Sequence, residues 1–294
     1  MRTLKEDFFD NLGIGMETER DKIKDWIKSY PNLELLDDNT LRINATGYIY
    51  PFGLNVRPIE VPDYITISEI NFDNYGSVYF WGVNCNNWQN LISSNNTVLH
   101  TGKSNGIQFR NCNITKEDID KLPKDNIDEL KFREIKTLPN NLKIDFSKVS
   151  QLDCISFRNC DLKSIDLKLS QQCSSYILDL SDNTKLSKIS GNLDKCLSIY
   201  LQNTPIGQDF ISEFQHELEK RGDGYKFKAE SLKEISQEEY FEILSNCKTI
   251  TNFFKKHDNL LAVYCHIPGD IIHEISINRH NWNSKKLYVK IFTK

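Results

Sequence analysis

Six short segments between residues 75 and 206 repeat one pattern, in which two apolar residues flank a single variable one. They are Val78-Tyr79-Phe80, Ile107-Gln108-Phe109, Leu130-Lys131-Phe132, Ile155-Ser156-Phe157, Leu178-Asp179-Leu180 and Ile199-Tyr200-Leu201. The second apolar position falls at 80, 109, 132, 157, 180 and 201, giving steps of 29, 23, 25, 23 and 21 residues. Apolar side chains two apart point to one face of a strand. A single such unit cannot bury its face, so units of this length stack and share a continuous core. The chain is therefore expected to be a solenoid over this stretch.

The residue after each strand is expected at an inward bend. An Asn there can bond turn backbone groups that cost about 1–3 kcal/mol each when buried without a partner. Asn111, Asn159 and Asn203 take that place, and Asn183 falls one residue late. Glu134 departs from the pattern, so that turn is either built differently or swings Glu134 toward solvent.

Before the repeats, Thr3 to Glu6 fits a capping box, and Ile23, Trp26 and Ile27 have helical spacing up to Pro31. Leu41-Arg-Ile43, Tyr48-Ile-Tyr50 and Ile59 to Ile67 read as short strands between Gly and Pro turns. After residue 206, Asp209–Arg221 and Ser236–Lys256 read as amphipathic helices. Leu260–Cys265, Ile271–Ile277 and Leu287–Phe292 read as strands, with a turn at 281–285.

With these residues in place, 40–206 resembles a leucine-rich-repeat protein of degenerate type. The opening Ile23-Lys-Asp-Trp-Ile-Lys-Ser-Tyr30, then Leu41-Arg-Ile-Asn-Ala and Ile59-Glu-Val-Pro62, is similar to small repeat proteins of bacteriophages and AT-rich bacteria. So are Leu122-Pro123 and Leu138-Pro-Asn-Asn-Leu142. The resemblance implies an α/β leucine-rich-repeat solenoid and is nearly silent on function. The expected organisation is an N-terminal helical cap at 1–39, a solenoid at 40–206, and a small α+β domain or cap at 207–294.

Composition narrows the function classes. Hydrophobic residues make up 39% and charged residues 27%, which suits a globular chain rather than a disordered or membrane one. No run offers the roughly 18 apolar residues a membrane helix needs, and acids occupy the first twenty residues where a signal peptide has its apolar core. The expected location is cytoplasmic. A net charge of −4 argues against a general nucleic-acid binder. The eight cysteines form no C-x-x-C and are expected to be buried and reduced.

Motifs for catalysis are absent, and the expectation is a non-enzymatic chain without cofactor or metal. His266, His273 and His280 lie at odd spacing, which on strands sends neighbours to opposite faces. Glu117, Asp118, Asp120 and Asp125 lack calcium-loop spacing and sit beside a Thr115–Asp118 capping box. Thr101-Gly-Lys-Ser104 lacks the upstream glycine of a phosphate loop, and Arg221-Gly-Asp-Gly224 reads as a turn.

The strand flanks carry the functional signal. In repeats of this type the residues beside the core positions face the concave surface. One column reads Trp81, Arg110, Arg133, Arg158, Ser181, Gln202. Its neighbour reads Tyr79, Gln108, Lys131, Ser156, Asp179, Tyr200. Three arginines stacked on neighbouring strands repel one another, and core geometry explains the recurring Phe but not the Arg. The candidate binding residues are Tyr79, Trp81, Arg110, Lys131, Arg133, Arg158, Tyr200 and Gln202. The expected partner is a protein with an acidic patch. A nucleic-acid-directed or host-defence-inhibiting role is the second reading, and an enzyme with its site in the C-terminal segment the third.

Overall fold

The computed structural model describes residues 27, 32–37, 39–52, 59–73, 76–100, 102, 105–125, 127–149, 151–170, 176–191, 193, 196–220, 237–257, 260, 262–265, 272–279 and 287–293. The capping box at Thr3, most of the helical run before Pro31, and the turn at 281–285 lie outside them, as do His266, His280 and the Arg221 turn. The chain divides into two compact units, Met1–Pro139 with Ser147–Cys154, and Asn140–Phe146 with Ile155–Lys294.

The first unit holds β1 (Leu33–Leu35), β2 (Thr40–Ala45), β3 (Tyr48–Ile49), β4 (Ile59–Val61), β5 (Thr66–Phe72), β6 (Gly76–Trp81) and β7 (Val83–Cys85). It continues with α1 (Trp88–Leu91), β8 (Val98–His100), β9 (Asn105–Arg110), α2 (Lys116–Lys121) and β10 (Glu129–Arg133). Strands β3, β6, β9 and β10 form one parallel ladder. Strands β2, β5 and β8 form another, closed at one edge by antiparallel β1. Period two decides both. In β6, Gly76, Val78 and Phe80 are buried while Ser77, Tyr79 and Trp81 are half-exposed, and β2 alternates the same way.

The rings of the first unit's core stack coil on coil. Phe80 and Phe109 lie 5.1 Å apart and Phe109 and Phe132 lie 5.5 Å apart, each pair nearly parallel. Buried Trp88 meets Phe80 and Phe109 edge-on. Burying a Phe side chain is worth about 1.5–3 kcal/mol, so three in register contribute substantially to this core. The capping box forms as expected: Thr115 accepts from the Asp118 N–H, and the Asp118 carboxylate accepts from the Thr115 N–H.

The second unit holds β11 (Asn141–Phe146), β12 (Cys154–Arg158, whose first residue falls in the first unit), β13 (Ser164–Leu169), β14 (Tyr176–Asp179), β15 (Lys188–Gly191) and β16 (Cys196–Tyr200). There follow α3 (Pro205–Glu219), α4 (Gln237–Asn246), α5 (Lys248–Lys256), β17 (Ala262–Cys265), β18 (Ile272–Arg279) and β19 (Leu287–Thr293). One sheet runs β12-β14-β16-β17-β18-β19 and another runs β11-β13-β15. Strand β17 adds parallel to β16, and β18 and β19 then close the sheet antiparallel. Cys247 separates α4 from α5 where the sequence reads as one helix.

Stacked coils are present, and the structure is predominantly β, with few helices. The return side of the coils is built from strands. Leu142, Ile144 and Phe146 alternate with exposed Asn141, Lys143 and Asp145, and Ile165, Leu167 and Leu169 follow the same rule. Only α1 and α2, of four and six residues, interrupt the coils among the described residues. Within the span expected to be a helical cap, Leu33–Leu35 is a strand.

Phe80, Phe109, Phe132, Phe157, Leu180 and Leu201 are all fully buried, so the core register read from the repeats is right. The bend is corrected by one residue. Gly82, Asn111, Glu134, Asn159, Asp182 and Asn203 all have positive φ, between 51° and 64°. In this left-handed region Asn and Asp are enriched and glycine is free. The inward place belongs to the next residue: Val83, Cys112, Ile135, Cys160, Asn183 and Thr204 are all buried. Glu134 therefore sits in the same turn as its counterparts. The bend N–H groups extend the ladder, Gly82 donating to the Arg110 carbonyl at 2.8 Å and Asp182 to the Gln202 carbonyl at 2.8 Å.

Candidate recognition surface

Five of the eight expected residues come together on the first unit. Register places Tyr79, Gln108 and Lys131 side by side on β6, β9 and β10, with Trp81, Arg110 and Arg133 beside one another at the strand ends. Neighbouring strands are about 4.8 Å apart, so these side chains form one continuous patch.

Aromatic rings make up one end of it. Tyr79 meets Tyr48 edge-on at 5.5 Å and Tyr50 at 5.1 Å. Tyr48 is 73% exposed, the most exposed large hydrophobic side chain among the described residues. Burial pushes the Tyr79 phenol up to about 12; Tyr48, Tyr50 and Glu129 act in the same direction and Arg133 opposes them. The guanidinium of Arg110 lies 4.7 Å from the centre of the Trp81 ring. Such a cation–π contact is worth about 0.5–1 kcal/mol at an exposed site.

The charges of the patch are largely answered from within. Arg110 donates from Nε and Nη2 to Glu134 Oε1, at 3.2 and 2.9 Å. Lys131 Nζ donates to Glu129 Oε2 at 2.6 Å. Arg133 differs: its Nε is buried with no hydrogen-bond partner, and among the described residues it makes no ion pair.

The second unit holds the other three residues. Arg158 donates from Nε to Asp182 Oδ2 at 2.7 Å. Tyr200 stacks on Tyr264 at 4.5 Å, and Gln202 is half-buried at the following bend. Sequence reasoning about the columns missed Tyr48 and Tyr50, although the Tyr48-Ile-Tyr50 alternation extends the Tyr79 column one strand back. It also missed the acids Glu134 and Asp182. Mutual repulsion of the arginines is therefore no argument for an external anion at Arg110 or Arg158.

Comparison with family models, with curated proteins and with solved structures found no match. Among the described residues no helix is long and apolar enough to cross a membrane. Among them, too, no three His, Cys, Asp or Glu side chains are grouped to hold a metal ion.

Proposed function

We propose that the chain is a non-enzymatic protein-binding module of leucine-rich-repeat type, and that it recognises its partner on the strand face of the first unit. The observation that carries the reading is the surface of Tyr48, Tyr50, Tyr79, Trp81 and Arg110, with Tyr79 against the rings of Tyr48 and Tyr50, Arg110 against Trp81, and Tyr48 largely exposed. Tyr, Trp and Arg dominate the binding energy of protein interfaces. Tyr and Trp also offer large contact areas at low entropic cost. Ring contacts and the Arg110–Glu134 pair hold the cluster before a partner arrives, which lowers the ordering cost of binding.

One feature supports the repeat type. Each coil pairs two core residues on a strand with a buried residue three positions on, as in Ile107, Phe109 and Cys112 or Leu178, Leu180 and Asn183. That matches the L-x-L-x-x-N/C unit of leucine-rich repeats. A bacteriophage origin and a cytoplasmic setting belong to this proposal and rest on the sequence resemblance.

The test is affinity capture from the native cell with the intact chain and with a Tyr48→Ala/Trp81→Ala variant as baits. Truncating a central interface residue costs about 2 kcal/mol or more, some thirtyfold in affinity. The protein recovered by the intact chain should be lost with the variant, whose circular dichroism stays native. Equal recovery by both baits would overturn the reading.

A further inference from the structure

We propose that Arg133 is the anion-docking point of this surface and receives an Asp or Glu carboxylate from the partner protein. The inference rests on the reading above and adds the chemistry of the partner.

The charge inventory of the patch singles Arg133 out. Its described ionic side chains are Glu129 and Glu134 against Arg110, Lys131 and Arg133. Glu134 holds Arg110 and Glu129 holds Lys131, so one positive charge remains, and it is that of Arg133. Arg133 Nε is buried and unpartnered. That Nε is closed to solvent, so a docking carboxylate would meet the Nη1 and Nη2 edge of the guanidinium.

Among the described residues of the first unit no acid pairs with it. Arg110 and Arg158 each pair with a bend residue 24 positions on, Glu134 and Asp182. A guanidinium presents a planar fork that fits a carboxylate through two parallel hydrogen bonds. Arg133 shares its row with Trp81 and Arg110 and acts electrostatically on Tyr79. A carboxylate docked there has Trp81 in the same row, two strands or about 10 Å away, within reach of the flanking apolar residues of the same segment. The partner is thus an acidic segment interspersed with apolar side chains.

The probe is a phage-displayed library of random twelve-residue peptides, panned on the intact chain. Enriched peptides should carry an Asp or Glu at a fixed distance from apolar residues. A synthetic enriched peptide should bind about tenfold more weakly when that acid becomes its amide, as expected for loss of a charged hydrogen bond. Arg133→Gln should cost the same factor and abolish the peptide's acid preference, while Arg133→Lys keeps the charge without the fork and should lose less. Denaturant melts of both variants establish that they fold. Enrichment without an acid, no enrichment at all, or an acid preference unchanged by Arg133→Gln would overturn the assignment. Displacement of the peptide by a twenty-nucleotide single-stranded DNA, dependent on Arg133, would overturn a protein partner in favour of nucleic acid. Tyr48→Ala/Trp81→Ala separates the two levels: if it leaves peptide binding intact, the surface itself is wrong; if it abolishes binding while Arg133→Gln does nothing, only the role of Arg133 falls.

Discussion

Arg158 reaches from the end of its strand to Asp182, the bend residue of the following coil, with Nε 2.7 Å from Oδ2. Arg110 takes the same step to Glu134. In both cases the strand-end cation of one coil meets a carboxylate that a left-handed bend lifts out of the next.

Both side chains of the Arg158–Asp182 pair are about a third exposed, at 41% and 30%. A double-mutant cycle with Arg158→Met and Asp182→Asn should therefore return a coupling of only about 0.3–1 kcal/mol. Repeating the urea melts in 1 M salt should shrink it, because the Debye length is then about 3 Å. A coupling that survives high salt would mean that packing, not charge, joins the two residues.

Asn183 is a different case, since it is fully buried and uses its whole amide. Its Oδ1 accepts from the N–H groups of Cys160 and Leu162, at 3.0 and 3.1 Å, and its Nδ2 donates to the carbonyls of Phe157 and Leu180, at 2.7 and 2.8 Å. Asn183→Ala strands four backbone groups, each costing about 1–3 kcal/mol if water cannot reach it. The expected loss is about 3–5 kcal/mol in a urea melt, well above that of Asn203→Ala, whose side chain is half-exposed.

The bends should discriminate by backbone. Asn111 has φ 51°, a region that β-branched residues avoid. Asn111→Val should cost about 1–3 kcal/mol, whereas Asn111→Gly should stay within about 0.5 kcal/mol. Equal melting of the two variants would show that the bend is not what fixes this position.

The buried thiols make stability fall at alkaline pH. Burial pushes Cys112 and Cys196 up to about 12 from 9.0. A thiol whose folded pKa is raised contributes stability that is complete below the unfolded value and is lost as the pH climbs toward the folded one. The urea midpoint should therefore drop between about pH 9 and 12, and less steeply in Cys112→Ala than in the parent chain. With iodoacetamide at pH 8, half-buried Cys154 should react before Cys112 or Cys196.

The recurring Phe was legible because a strand repeats every two residues and the coil supplies the same pair each time. The strands of the return side were harder to read. Leu142, Ile144 and Phe146 are a short alternation bounded by Lys and Asp, and runs of that length read as poorly defined turns unless their partners 23 residues on are aligned with them. At the surface, register alone put Tyr79, Trp81, Arg110, Lys131 and Arg133 together. What register could not show was where the counter-charges stand. Glu134 and Asp182 lie just past their strands, outside the alternation, and only the sign of φ turns their carboxylates toward the neighbouring arginines. The off-by-one reading of Asn111 and Asn159 has the same origin, for a bend residue and an inward residue are adjacent and both favour Asn.

The left-handed bend also sets what this chain can tolerate over descent. Between Phe109 and Phe132 the count of residues can change in the connecting loops, and the steps of 21 to 29 show that it does. Between a core Phe and its bend it cannot, since one residue more or fewer would displace the left-handed residue and the buried residue that follows it. Length variation among descendants should accordingly fall into two kinds, small changes within loops and gain or loss of an entire coil. A duplicated coil would arrive with its own core pair, bend and inward residue, ready to stack.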